Sequence, residues 1–136
     1  MAVTANSIIT PQAPLAGTAV CTTANSVYTD TPGNSVVLIP TSTNGARITR
    51  LTALARATNT ATELQLYRSS DGGATKQLID SKLMAAYTVA QTTGQAKTDF
   101  GFSETAPLVL QAGESLYVAI GVSNTGIVFR AEGFSY

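Results

Sequence analysis

Histidine and tryptophan are absent from this chain, and cysteine occurs once among its 136 residues. Without histidine there is no imidazole to activate a serine or cysteine nucleophile, and none to ligate zinc. One thiol, Cys21, cannot close a disulfide within the chain. It lies in Thr18-Ala-Val-Cys-Thr-Thr23, where strand alternation puts Val20 on one face and Ala19 with Cys21 on the other, so it reads as a buried structural thiol. Charge is scarce as well. Charged residues make up 12% of the chain, and eight basic and eight acidic side chains cancel, which leaves no electrostatic case for a nucleic-acid partner. Such a surface suits a protein packed against neighbours, or one kept in solution by Thr, Ser, Asn and Gln. No apolar run approaches the roughly 20 residues of a membrane helix. Residues 1–7 have neither the positive nor the apolar region of a signal peptide. The expectation is therefore cytoplasmic synthesis and no membrane partner.

The eight carboxylates are Asp30, Glu63, Asp71, Asp80, Asp99, Glu104, Glu114 and Glu132. Their spacing predicts no pair facing one cleft, which acid–base catalysis of the two-carboxylate kind needs. Only Asp71 lies beside glycines, and the oxygen-rich spacing of a calcium loop is missing. These patterns predict no enzyme, no metal and no cofactor.

What is present is a series of short β-type segments divided by turn residues. The first charged residue is Asp30. Residues 1–16 hold Ile8, Ile9, Pro11, Pro14 and Leu15 with little alternation. Proline lacks a backbone donor and drives the preceding residue toward extended geometry. This stretch reads as an extended arm that lies on a partner, with an edge strand of its own domain as the alternative. Strand-like segments follow at 18–23 and 25–29, the latter ended by Asp30-Thr-Pro-Gly33, which suits a type II turn. Residues 35–39 (Ser-Val-Val-Leu-Ile) form a continuous apolar run, as in a strand buried on both faces or one in a subunit interface. Asn44-Gly45 is a turn. Along residues 46–57 the apolar set changes face between Ile48 and Leu51, which predicts a β-bulge near Thr49-Arg50. Residues 63–68 alternate, with Leu64 and Leu66 inward against Glu63, Gln65 and Tyr67. Residues 76–90 read as a strand kinked around Asp80-Ser81, in preference to a helix. Residues 91–103 read as a polar loop carrying Phe100 and Phe102. Residues 108–110 and 115–122 read as a hairpin, and 127–136 as the last strand. Eight or nine strands without a helix predict an antiparallel β-sandwich, most simply a jelly roll, over residues 17–136.

Ser69-Ser-Asp-Gly-Gly-Ala-Thr75 resembles the Asp-box of sialidases and other β proteins, S-x-D-G-G-x-T followed by Trp, with Lys76 in place of the aromatic. It reads as a hairpin loop in which the Asp side chain caps backbone N–H groups. Arg47, Arg50 and Arg56 share one long strand. A guanidinium row can read carboxylate or phosphate on a partner; alternatively it is a polar sheet face paired with Glu63 on the adjoining strand. The aromatics Tyr117, Phe129, Phe134 and Tyr136 cluster near the end of the sequence without the basic interleaving of a single-strand nucleic-acid platform.

The segment Pro107-Leu-Val-Leu-Gln-Ala-Gly-Glu-Ser-Leu-Tyr-Val-Ala-Ile-Gly121 resembles the late hairpin of viral and TNF-like jelly rolls. With its Thr/Ala-rich strands, uncharged N-terminal arm and absence of histidine, the chain as a whole resembles small structural proteins of tailed bacteriophages, in particular capsid decoration (cement) proteins. That resemblance implies a virion protein on the capsid exterior, bound to the major capsid protein and to itself as a homodimer or homotrimer. It carries no catalytic residue over. The residues expected at the partner interface are Ile8, Ile9, Pro11, Pro14, Leu15, Val37, Ile39, Arg47 and Arg50. The competing reading is a trimeric tail-fibre or receptor-binding head that recognises host-surface carbohydrate, with a carbohydrate-binding module of an enzyme a weaker third.

Overall fold

The computed structural model describes residues 10–136. Among them nine strands form two antiparallel sheets that pack face to face: β1 (Ala13–Cys21), β2 (Val36–Ile39), β3 (Ala46–Ala55), β4 (Thr62–Ser69), β5 (Gln77–Met84), β6 (Lys97–Asp99), β7 (Leu108–Leu110), β8 (Ser115–Ile120) and β9 (Ile127–Ser135). Sheet A has the order β1-β9-β3-β6, with β7 also on β3, and sheet B the order β2-β8-β4-β5. The pairs β1–β9, β2–β8, β3–β6 and β4–β5 are nested from the outside of the sequence inward. The chain is thus one long antiparallel ribbon, folded so that successive pairs fall alternately in sheets A and B.

The core follows from period-2 patterning. Ala19 and Cys21 of β1, Leu64 and Leu66 of β4, Leu116, Val118 and Ile120 of β8, and Ile127, Phe129 and Ala131 of β9 all point between the sheets. Phe100 joins them just past β6 and meets Phe129 at a ring-centroid distance of 6.5 Å. Strand β3 contributes Ala46 and Ile48, then Leu51, Ala53 and Ala55. The change of parity is a bulge, as the sequence predicts: the β3–β9 register slips between Ile48 and Arg50. Beside it the two backbones come so close that a Cβ on Gly133 would stand 1.9 Å from the Arg47 carbonyl oxygen. Strand β5 also carries a bulge, but at Ile79 and not at the expected Asp80-Ser81: Ile79 is skipped between Asp80 and Leu78 in the pairing with β4.

Several expectations are corrected. Residues 25–29 are not a strand. They belong to a strap, residues 22–35, that crosses the outer face of sheet B, anchored where the Asn25 amide N–H donates to the Ile120 carbonyl at 2.7 Å. Under this strap Gln65 and Tyr67, expected on a solvated face, are buried. Asn25 Nδ2 donates to Gln65 Oε1 (2.8 Å) and to the Tyr67 hydroxyl (3.0 Å), and that hydroxyl donates to Gln65 Oε1 (2.7 Å). The polar side chains can be buried because they satisfy one another. Gly33 does not take the positive φ of a type II turn. Residues 108–122 are not a two-stranded hairpin, because β7 pairs with β3 in sheet A and β8 lies in sheet B, so the Gln111–Glu114 turn carries the chain across the sandwich. Lys97–Asp99, within the expected loop, adds to β3 as β6. Strand β1 crosses the expected arm boundary at residue 16: Ala13, Pro14, Leu15 and Ala16 pair with Ser135, Phe134, Gly133 and Glu132, and Leu15 packs against the core. The first nine residues lie outside the described residues.

Candidate interaction surface

The residues that share the outer face of sheet A follow from the register, since directly paired residues of antiparallel strands project to one side. One row runs Pro14–Phe134–Arg47–Val109 across β1, β9, β3 and β7. The next runs Ala16–Glu132–Arg50. Phe134 and Val109 are among the large hydrophobic residues left exposed, at 38% and 54%. The bulge in β3 sets Arg47 and Arg50 on the same face despite their odd separation. Between the rows lies an open groove of about 440 Å³, lined by Pro14, Leu15, Arg50, Glu132 and Phe134.

The electrostatics of this end are mixed. Arg47 is half-buried, and its Nη2 donates to the Glu104 carbonyl oxygen, while its Nε is buried without a partner. Glu132 is taken by Arg130 at 3.2 Å, an exposed pair of the kind that contributes about 0–1 kcal/mol. Arg50 is exposed and makes no ion pair among the described residues. Its fork of donors is therefore available to a carboxylate on another molecule. Pairing of the arginines with Glu63 does not occur, because Glu63 is on β4 in the other sheet.

Of the residues expected at an interface, Pro14, Leu15, Arg47 and Arg50 come together here. Pro11 is exposed just ahead of β1. Val37 is exposed on sheet B, in the row Val37–Tyr117–Tyr67–Leu78. Ile39 is a correction: it is 1% exposed and belongs to the core, where the irregular pairing of β2 with β8 turns it inward. Ile8 and Ile9 lie outside the described residues. Phe134, Val109 and Glu104 were not singled out as interface residues from the sequence. Their place beside Arg47 depends on strand register and on the loop that carries Glu104, and no local pattern encodes either.

Cys21 and Asp71 lie away from this face, in the core and in the β4–β5 hairpin loop. Burial pushes the Cys21 thiol up to about 12, so its nucleophilic form is suppressed. Among the described residues no three His, Cys, Asp or Glu side chains gather as metal donors. Asp71 is held below the usual carboxylate range by the Thr75 N–H and the Ser69 hydroxyl, both bonds internal to its hairpin loop. No family model, curated protein or solved structure matches the chain.

Proposed function

We propose that this chain is a virion structural protein that attaches to the exterior of a tailed-phage capsid and stabilises the shell by bridging neighbouring subunits. The observation that carries the reading is the convergence of Pro14, Phe134, Arg47, Val109 and Arg50, from four strands, on one end of one sheet. An exposed apolar row beside an uncommitted guanidinium is a docking surface, with burial for affinity and Arg50 for register. The nested ribbon supports a jelly roll, since strand pairs rolled in this order give two four-stranded sheets of antiparallel strands with β7 as an addition. Many copies, each burying modest area across a subunit seam, reinforce a shell through multivalency. Self-association would use sheet B, where Val37 and Leu78 stand at the ends of one row.

Immunogold labelling of virions that carry the chain tests the reading. Label over the whole shell is expected, whereas label confined to the tail tip would overturn it in favour of a receptor-binding head. On isolated capsids, Phe134→Asp and Arg50→Glu should weaken co-sedimentation at least tenfold with the thermal transition retained. Binding unchanged in both variants would move the attachment surface elsewhere.

A further inference from the structure

Among the described strands, every sheet margin but one carries a device against strand addition. Strand β5 has its bulge at Ile79 and sets Asp80 and Lys82 on the core-facing side, opposite Leu66 and Leu64. Strand β2 spans four residues, and its register slips between Val37 and Ile39. Strands β6 and β7 span three residues each. Short strands, bulges and inward-pointing charges are the usual guards of an edge. Strand β1 has none of them. It runs nine residues without a charged side chain and pairs with β9 without a register shift. It ends sheet A, with β9 on one side and an open edge on the other.

The residues that face this edge follow from β9. The Tyr136 N–H donates to the Gly45 carbonyl (3.2 Å) and the Arg56 N–H to the Gly126 carbonyl (2.7 Å), both in line with the β3–β9 register. Bonding sides alternate along a strand, so even-numbered residues of β9 bond to β3 and odd-numbered ones to β1. Their partners are the odd-numbered residues of β1. The backbone groups of Pro14, Ala16, Thr18 and Val20 therefore turn to the open edge. Pro14 agrees with this, because a proline within a sheet turns its donor-less nitrogen away from the ladder. Pro14, Ala16 and Thr18 are exposed. Strand β2 packs below β1 and not beside it: the Leu38 carbonyl oxygen lies 2.2 Å from where a Cβ of Gly17 would stand, and Gly17, paired with Ala131, would point that Cβ toward the core.

We infer that β1 pairs with β1 of a second copy of this chain, antiparallel about a two-fold axis at Gly17, so that two copies of sheet A become one continuous sheet. In this register Ala16 and Thr18 face Thr18 and Ala16 of the second copy and exchange N–H to carbonyl bonds in both directions. The Val20 N–H donates to the Pro14 carbonyl of the second copy, and the donor that Pro14 lacks is the one loss. Gly17 meets its own copy at the axis in a non-hydrogen-bonded pair, where Cα atoms approach to about 4.5 Å, and no side chain stands between them. A strand of another protein would gain the same backbone bonds, but its selection would need side-chain pockets or charges. Strand β1 offers no charge, whereas a second β1 takes its register from symmetry. The net charge of zero adds no long-range repulsion between copies. Paired residues of antiparallel strands project to one side, so the two outer faces of sheet A point the same way and sheet B stays open. The pairing does not depend on capsid attachment.

Sedimentation equilibrium of the full chain, together with amide hydrogen exchange, tests the pairing. A monomer–dimer equilibrium is expected, with the Ala16 and Thr18 amides exchanging at least tenfold more slowly in the dimer than after dilution. Thr18→Pro removes a donor that faces the edge and no bond to β9. It should keep the thermal transition and weaken self-association at least tenfold. Thr18→Lys keeps the donor, brings like charges together across the axis, and should weaken self-association in a salt-dependent way. A monomer at every concentration would overturn the pairing and leave the edge to a strand of another protein. A dimer that survives both variants but dissociates with Val37→Asp would overturn it in favour of sheet B. Fast exchange at Ala16 and Thr18 within the dimer would likewise place the contact elsewhere.

Discussion

Cys21 is 1% exposed, and its Sγ donates to the Val118 carbonyl at 3.5 Å. The sequence makes this side chain legible as buried, because parity with Ala19 places it on the apolar face. The consequence for pH follows from the raised pKa. In the unfolded chain the thiol ionises near its ordinary value of 9.0, whereas in the native state it keeps its proton until about 12. Above pH 9 the unfolded state therefore binds fewer protons than the native state, and stability falls as pH rises toward 12. The loss from this one group is at most about 1.4 kcal/mol per pH unit. Burial raises Tyr67 too, with the same sign. Cys21→Ala should accordingly make the alkaline loss of stability shallower without removing it, as measured by urea unfolding at pH 7 and pH 10. An unchanged slope would show that Cys21 does not carry it. In the native state the thiol should also resist an aromatic disulfide reagent at pH 8 and react once unfolded.

At the scale of elements, the hairpin loop from Ser69 to Thr75 was readable because its residues are turn chemistry in sequence. Asp71 Oδ1 accepts the Thr75 N–H at 2.9 Å, and Ser69 Oγ accepts the Gly73 N–H at 2.8 Å. What the sequence hides is the neighbour below. A Cβ on Gly73 would stand 2.3 Å from the Tyr117 hydroxyl, on a ring that carries Lys76 Nζ 4.8 Å from its centroid. Gly72 and Gly73 both have positive φ, 75° and 97°, but a Cβ on Gly72 meets nothing within 4 Å. Gly73→Ala should cost on the order of 1–3 kcal/mol in strain and contact, and Gly72→Ala about 1 kcal/mol. Equal costs by chemical denaturation would mean that Tyr117 moves aside freely. The strap escapes a local reading for a related reason. Val27 and Tyr28 look like strand residues, yet they are 52% and 56% exposed, and the side chain that holds the segment down is the polar Asn25. Its partners Gln65 and Tyr67 are 40 and 42 residues away, a distance no local pattern spans.

For the whole molecule, the β-sandwich is legible because long strands such as β4, β8 and β9 carry their own apolar alternation, while the grouping of strands into sheets is not. The Gln111–Glu114 turn has the composition of a hairpin and serves as a crossover, since the choice between them depends on whether β3 already offers β7 an edge. The candidate interface was half legible: Arg47 and Arg50 declare themselves by charge, but Phe134 and Val109 join them only through register. The ends of the ribbon yield the last prediction. The sequence reads residues 1–16 as an extended arm that lies on a partner, with an edge strand of its own domain as the alternative. In the structure β1 begins at Ala13, the Gln12 N–H donates to the Ser135 carbonyl at 2.8 Å, and four pairs tie Ala13–Ala16 to β9. Removing residues 2–9 leaves every interaction of the described residues with one another in place and serves as the reference truncation. Removing residues 2–16 strips ladder bonds from β9 and the packing of Leu15 from the core. A loss of about 2 kcal/mol corresponds to a fall of roughly 5–10 °C for a domain of this size. The longer deletion also removes Pro14 from the proposed docking face, so it should weaken capsid binding even at temperatures where it remains folded. Equal transition temperatures for the two truncations would show that β9 holds its place without β1 and would return residues 13–16 to the status of an arm.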